Sequence, residues 1–334
     1  MWLTNEQIIT AVNGYVRVEQ NELGVEFHRF SREQEAFFYK THPLYCHESF
    51  FNGYFGRNCR TCAGIAMDFI SDAKRFQIKF GKIEYPNDAK NQFFDLYIDN
   101  NFVQSYPAEN EIVYKSSGKK CRFTLYFPHF AFPIVSSVEL SEATVFMPTK
   151  KPVDILFLGD SITQGVNAVY PSNTYVMRVA RNLDVGIINQ GNSGFVYDAG
   201  SIDKVCEPKV IVTAYGINDY GRKTIGQLES QTTEFIQRLR EAYEDAKILS
   251  ILPLWNRDDE QKDYRVEERA CLRKVYEEYS DYIVDGHKMM PHDKKYLEDR
   301  VQPNDDGFQH YGNNLTEELK KILSVISKKM CTAD

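Results

Sequence analysis

Hydrophobic and polar residues follow two different rhythms along this chain, and the change falls near residue 150. In the first half, apolar and polar side chains alternate, or nearly so, over residues 16–19, 24–30, 64–69, 76–80, 94–98 and 121–127. A period of two sends one face of a strand into a core and the other into water, so these segments predict an antiparallel sandwich. The connections carry turn residues at Asp99-Asn100-Asn101 and Ser116-Ser117-Gly118-Lys119. A short helix opens the chain, because Thr4 and Gln7 have capping-box spacing and Ile8, Ile9 and Val12 follow.

Beyond residue 152 the rhythm changes. Short apolar runs at 155–158, 185–189, 209–215, 247–252 and 282–285 suit strands buried on both faces of a parallel sheet. Between them apolar residues recur at helical spacing, as in Tyr175, Val176, Val179, Ala180 and Leu183, or Leu228, Thr232, Phe235, Ile236, Leu239 and Tyr243. Val266, Ala270, Leu272 and Val275 mark another helix, and Leu315, Leu319, Ile322, Leu323 and Ile326 a closing one. Five strands alternating with helices predict an α/β fold, a flavodoxin-like three-layer α/β/α sandwich over 153–334. The stretch 147–152, polar with two prolines, reads as the linker and leaves 1–148 as an all-β sandwich domain. The aromatic cluster Phe37, Phe38, Tyr39, Phe50, Phe51, Tyr54 and Phe55 reads as core or as the seam between the domains.

Composition narrows the function. The 334 residues are 43% hydrophobic and 26% charged, enough for two domains with separate cores. A formal net charge of −7 and the lack of any Lys/Arg-rich run argue against nucleic-acid or anionic-membrane partners, and favour an uncharged or sugar-like substrate. The first residues lack the basic segment and apolar core of a secretory signal, which points to the cytoplasm. Seven scattered cysteines suit a reducing compartment better than a disulfide framework. Cys59-Arg60-Thr61-Cys62 has metal-ligand spacing, with Cys46 and His47 upstream, but no second pair follows, so neither a metal nor another cofactor is expected.

The chemistry concentrates in 154–165. The apolar run Ile155-Leu156-Phe157-Leu158 ends at Gly159, where the backbone can turn sharply and leave Ser161 at a strand's carboxyl edge. A following helix N-terminus supplies N–H groups there for a developing oxyanion. Gly159-Asp160-Ser161-Ile162-Thr163 resembles the first block of the SGNH (GDSL-like) hydrolases, Asn189-Gln190-Gly191-Asn192-Ser193-Gly194 the second, and Gly216-Ile217-Asn218-Asp219 the third. All three fall at predicted strand ends in the family's order. The resemblance implies acyl transfer, with Ser161 attacking an ester carbonyl and the oxyanion held by the Ser161 and Gly194 N–H groups and the Asn218 amide.

The family's last block is Asp-x-x-His, in which the histidine takes the serine proton and the aspartate orients the ring. The matching stretch here runs from Asp299 to Phe308, with Asp299 on the aspartate and Gln302 on the histidine. A glutamine amide has no nitrogen that is basic near neutral pH, so it can hydrogen-bond Ser161 but not act as general base. His310 lies eight residues further on, about 10 Å along a helix axis at about 1.5 Å per residue, too far to replace it. His287 and His292 sit in the preceding loop, which can fold back.

The N-terminal half resembles the jelly-roll domain that precedes the hydrolase domain in some carbohydrate esterases. The expected function is therefore removal of acetyl or another short acyl group, from a carbohydrate or other small-molecule ester. The alternative, given Gln302, is a noncatalytic or weakly active carbohydrate-binding protein.

Overall fold

The computed structural model describes residues 1–42, 53–86, 91–261 and 264–330. Thr4 caps helix α1 (Asn5–Ala11): its hydroxyl accepts the Gln7 N–H while the Gln7 side chain accepts the Thr4 N–H. Then come β1 (Val12–Asn13), β2 (Arg17–Asn21), β3 (Gly24–His28), helices α2 (Arg32–Lys40) and α3 (Tyr54–Cys59), β4 (Ala66–Ser71), β5 (Arg75–Glu84), β6 (Phe93–Ile98), β7 (Asn101–Pro107), β8 (Glu111–Lys115), β9 (Cys121–Tyr126), β10 (Phe132–Ser141) and β11 (Phe146–Pro148). They form two antiparallel sheets, ordered β1-β4-β9-β6-β7, with β11 also on β4, and β2-β3-β10-β5-β8. Phe27, Phe69, Phe76, Phe94 and Phe123 are fully buried in the core of this sandwich. The hairpin between β6 and β7 turns through Asp99 and Asn100, both at positive φ, as that turn chemistry predicts.

Residues 147–152 are not a free linker. Met147 pairs with Ile70, the Thr149 N–H bonds Asp68 O at 2.9 Å, and the Lys151 N–H bonds Asn13 Oδ1 at 3.0 Å. Prolines at the end and just outside an edge strand remove no ladder bond, so the segment can pair despite them.

The second half holds β12 (Val153–Gly159), α4 (Ser161–Gln164), α5 (Tyr175–Leu183), β13 (Gly186–Gly191), β14 (Val210–Ala214), α6 (Ile225–Ala242), β15 (Lys247–Ile251), α7 (Val266–Tyr279), β16 (Tyr282–Val284) and α8 (Asp305–Met330). The sheet is parallel, ordered β13-β12-β14-β15-β16. Alternate residues of β12 serve opposite faces: Ile155 and Phe157 join the core under α5 and α8, Leu156 and Leu158 the core under α6 and α7. This is the expected three-layer sandwich.

The second of those cores contains Phe30, Phe38, Phe55 and Cys59, which belong to the segment between β3 and β4. Phe38 and Phe55 pack edge-to-face on Phe195, with ring centroids 4.8 and 5.2 Å away. The aromatic cluster is thus a seam, with Phe37 and Tyr54 half-buried and Tyr39 exposed. Phe50, Phe51, Cys46 and His47 lie outside the described residues. Cys59 and Cys62 are buried free thiols, and burial raises the Cys62 pKa to about 12.

Candidate active site

Strand ends build the site. β12 stops at Gly159, and Asp160 caps α4, its Oδ1 accepting the Ile162 N–H at 3.0 Å. Ser161 is the first residue of that turn and only 5% exposed. β13 stops at Gly191, where a Cβ would lie 2.3 Å from the Gln164 nitrogen, so only glycine lets this strand end approach the Ser161 turn. The Asn192 N–H then bonds Gly159 O at 2.9 Å and the Ser193 N–H bonds Gln164 Oε1 at 2.7 Å. Gly194 follows at φ +82°, a conformation that favours glycine. Beyond β14, Asn218 donates from Nδ2 to Phe195 O at 3.1 Å, which ties the third block to the second. Neither the Ser161 nor the Gly194 N–H has an acceptor among the described residues, and the Asn218 amide keeps a second N–H.

Gln302 meets the serine. Its Nε2 donates to Ser161 Oγ at 2.9 Å, while its Oε1 is buried without a partner. Asp299 is exposed and holds the turn rather than the amide: Oδ1 accepts the Val301 and Gln302 N–H groups, each at 2.7 Å, and Oδ2 accepts Asn167 Nδ2 at 3.0 Å. The other candidate bases are engaged elsewhere. His310 packs edge-on against Tyr296, His292 stacks on Trp255 and bonds His287 O at 2.7 Å, and His287 Nε2 lies 3.5 Å from Asp259. Among the described residues no histidine hydrogen-bonds Ser161.

Two buried titratable groups flank the turn. Burial, reinforced by the nearby Asp219 carboxylate, pushes the Asp160 pKa up to about 7. Asp219 is itself raised by burial and paired with Lys223 at 2.6 Å. His129, contributed by the sandwich half, lies beside Gly165, and burial lowers its pKa to about 4. The motif reading missed His129, Asn167 and the role of Gln164. Gln164 adjoins the first block and the other two lie outside any.

One set of metal-ligand atoms among the described residues, on Glu19, Glu26 and His28, lies within 4.8 Å of one another. Arg17 and Arg32 pair with Glu19, Asn21 donates to Glu26, and Arg17 Nη2 lies 3.1 Å from His28 Nδ1. These groups form an ion-pair network with one another. Among the described residues no helix is long and apolar enough to cross a membrane.

Residues 157–310 match the GDSL-like Lipase/Acylhydrolase family, in line with the resemblance of the three sequence blocks to the SGNH hydrolases. No curated protein matches the chain by sequence. Among solved structures, the salicylyl-acyltransferase SsfX3 from a tetracycline biosynthetic pathway superposes with a TM-score of 0.74 at 14% identity, covering 95% of this chain and 94% of its own. A Bacteroides ovatus protein described as a GDSL-like lipase gives 0.73 at 18% identity, over 97% of this chain and 98% of its own. A family two carbohydrate esterase from Clostridium thermocellum, in complex with cellohexaose, gives 0.59 at 16% identity, over 78% and 92%. At these identities the likeness speaks for the fold. It extends through the jelly-roll-like sandwich as well as the hydrolase domain.

Proposed function

We propose that the chain is a serine ester hydrolase for acetyl or another short acyl group on a carbohydrate, with Ser161 as nucleophile and turnover limited by Gln302. The carrying observation is that Ser161, Gly194 and Asn218 follow the ends of the three adjacent strands β12, β13 and β14, with the Ser161 and Gly194 N–H groups unpartnered and Asn218 tied to the second block through Phe195 O. In this scheme Ser161 Oγ attacks the carbonyl carbon and the three donors take up the negative charge on its oxygen. The serine proton needs an acceptor, and the Gln302 amide is not one near neutral pH. A carbohydrate is favoured by the acidic net charge and by the esterase whose solved structure contains cellohexaose.

The test is turnover of a small acetyl ester. Gln302→His is expected to raise it at least about a hundredfold near neutral pH, where an imidazole is available as free base. Ser161→Ala in that background should abolish the gain, and Asp299→Asn should reverse much of it. Fast turnover by the unsubstituted chain, unchanged by Gln302→His, would show that another residue is the base.

A second reading, a carbohydrate binder that lacks the catalytic base, is favoured by the Gln302 bond to Ser161 Oγ. A serine-reactive phosphonate separates the two. Rapid labelling of Ser161 in the unsubstituted chain rejects the binder.

A further inference from the structure

Arg29 is fully buried between β3 and α2, at 0% exposure, and every bond it donates ends on a neutral oxygen. Nε donates to Thr61 O at 2.6 Å, and Nη2 donates to Asn58 O at 3.0 Å and Thr61 Oγ1 at 2.9 Å. Nη1 donates to Asn189 O, and to Gly191 O at 3.1 Å. The planar fork therefore clamps the end of β13 to a segment of the sandwich half.

Thr61 continues the connection. Its hydroxyl donates to Asn58 O at 2.9 Å and also accepts Gln164 Nε2 at 3.1 Å. The carbonyl of the same Gln164 side chain accepts the Ser193 N–H, one residue before Gly194. Asn192 Nδ2 adds a bond to Phe55 O at 3.2 Å. The chain that leads into the Gly194 N–H is thus fixed by groups far away in sequence. A buried cation with no carboxylate partner is expensive to keep, so its retention at a strand end asks for a reason beyond stability.

We infer that Arg29 and Thr61 are positioning residues: they touch no substrate but set where the Gly194 N–H points, and so make the sandwich half part of the oxyanion frame. This rests on reading Ser161, Gly194 and Asn218 as a hydrolytic site. Removing one oxyanion donor typically costs about 10²–10³ in kcat, and a displacement of about 1 Å costs about 10². Loosening the loop should therefore lower kcat while leaving KM nearly unchanged, because the donors act on charge that exists only in the transition state.

The experiment uses the full chain carrying Gln302→His as parent. Thr61→Val removes one hydroxyl at nearly constant shape, Arg29→Met removes the fork, and Arg29→Lys keeps the charge without the geometry. Phe76→Leu, in the sandwich core and away from the loop, is the control for destabilisation alone. With all variants held well below their melting temperatures, Thr61→Val should lower kcat about tenfold and Arg29→Met about a hundredfold, with KM within about threefold. Arg29→Lys should fall between Arg29→Met and the parent, and Phe76→Leu should match the parent. Amide hydrogen exchange over 189–195 should accelerate at least about tenfold in the first two variants and not in the control.

Folded Thr61→Val and Arg29→Met that keep kcat within about threefold of the parent would overturn the inference. So would an equal loss in Phe76→Leu. If Arg29→Met does not fold, Thr61→Val decides. If the parent shows no Ser161-dependent hydrolysis, the functional reading fails, and the exchange data alone still judge whether the two residues hold the loop.

Discussion

Asp160 and His129 bracket the Ser161 turn and titrate in opposite senses. The folded Asp160 carboxyl has a pKa of about 7, against about 3.9 in an unfolded chain. Between those values the native state holds a proton that the unfolded state lacks, so this group makes stability fall as pH rises from about 4 to 7. His129 is held near pKa 4, against about 6.5 unfolded, so its contribution to stability is lost as pH falls through that window. We expect Asp160→Asn, which keeps an Oδ1 acceptor for the Ile162 N–H, to gain stability over the unsubstituted chain at pH 7 and little at pH 4. His129→Gln should show its gain at pH 4 and little at pH 7. Denaturant unfolding at pH 4, 5.5 and 7 checks both, and a pH-independent difference for either variant contradicts the buried neutral form. At this scale the motif residues were legible and their supports were not. Gln302 stands out because it interrupts a recognisable block. Arg29 carries no local signal, since its meaning lies in carbonyls 160 and 162 residues away.

At the scale of elements, legibility followed burial. β4, β6 and β9 alternate visibly because one face of each supplies apolar residues to the sandwich core while the other, also largely buried, carries polar residues such as Asp68, Asp95 and Thr124, and β12 and β14 read as apolar runs because both of their buried faces are apolar. β7 is largely exposed and β8 contains one buried residue; both are edge strands, so little in their composition records a core. β10 escaped for another reason. Pro133 and the Ser136-Ser137 pair break the alternation, and the ladder absorbs them with two register shifts. Helices α2 and α3 were hidden inside an aromatic cluster whose partner, Phe195, lies in the other half of the chain. Phe38 is 2% exposed in that seam, and Phe38→Ala should cost about 3–5 kcal/mol of stability by equilibrium unfolding. A loss below about 1 kcal/mol would mean that the seam is not a packed core.

Over the whole molecule, the split into 1–148 and 153–334 describes the change in architecture but not the energetics. One hydrophobic core mixes Phe30, Phe38 and Phe55 with the parallel sheet. Arg122 bonds Asp68 within the sandwich and Asp184 beyond it, the latter at 3.1 Å, and Lys151 reaches Asp184 at 2.7 Å. We expect a single calorimetric transition with equal calorimetric and van't Hoff enthalpies, rather than two separable meltings. Two resolved transitions would contradict the shared core.

The buried arginine also bears on synthesis. Arg29 leaves the ribosome 160 residues before Asn189, on the order of ten seconds earlier at about 5–20 residues per second. For that interval its guanidinium lacks two of its acceptors and stays in water, and the aromatic rings of α2 and α3 wait for Phe195. The α2–α3 segment, though translated early, is therefore among the last parts of the molecule to close.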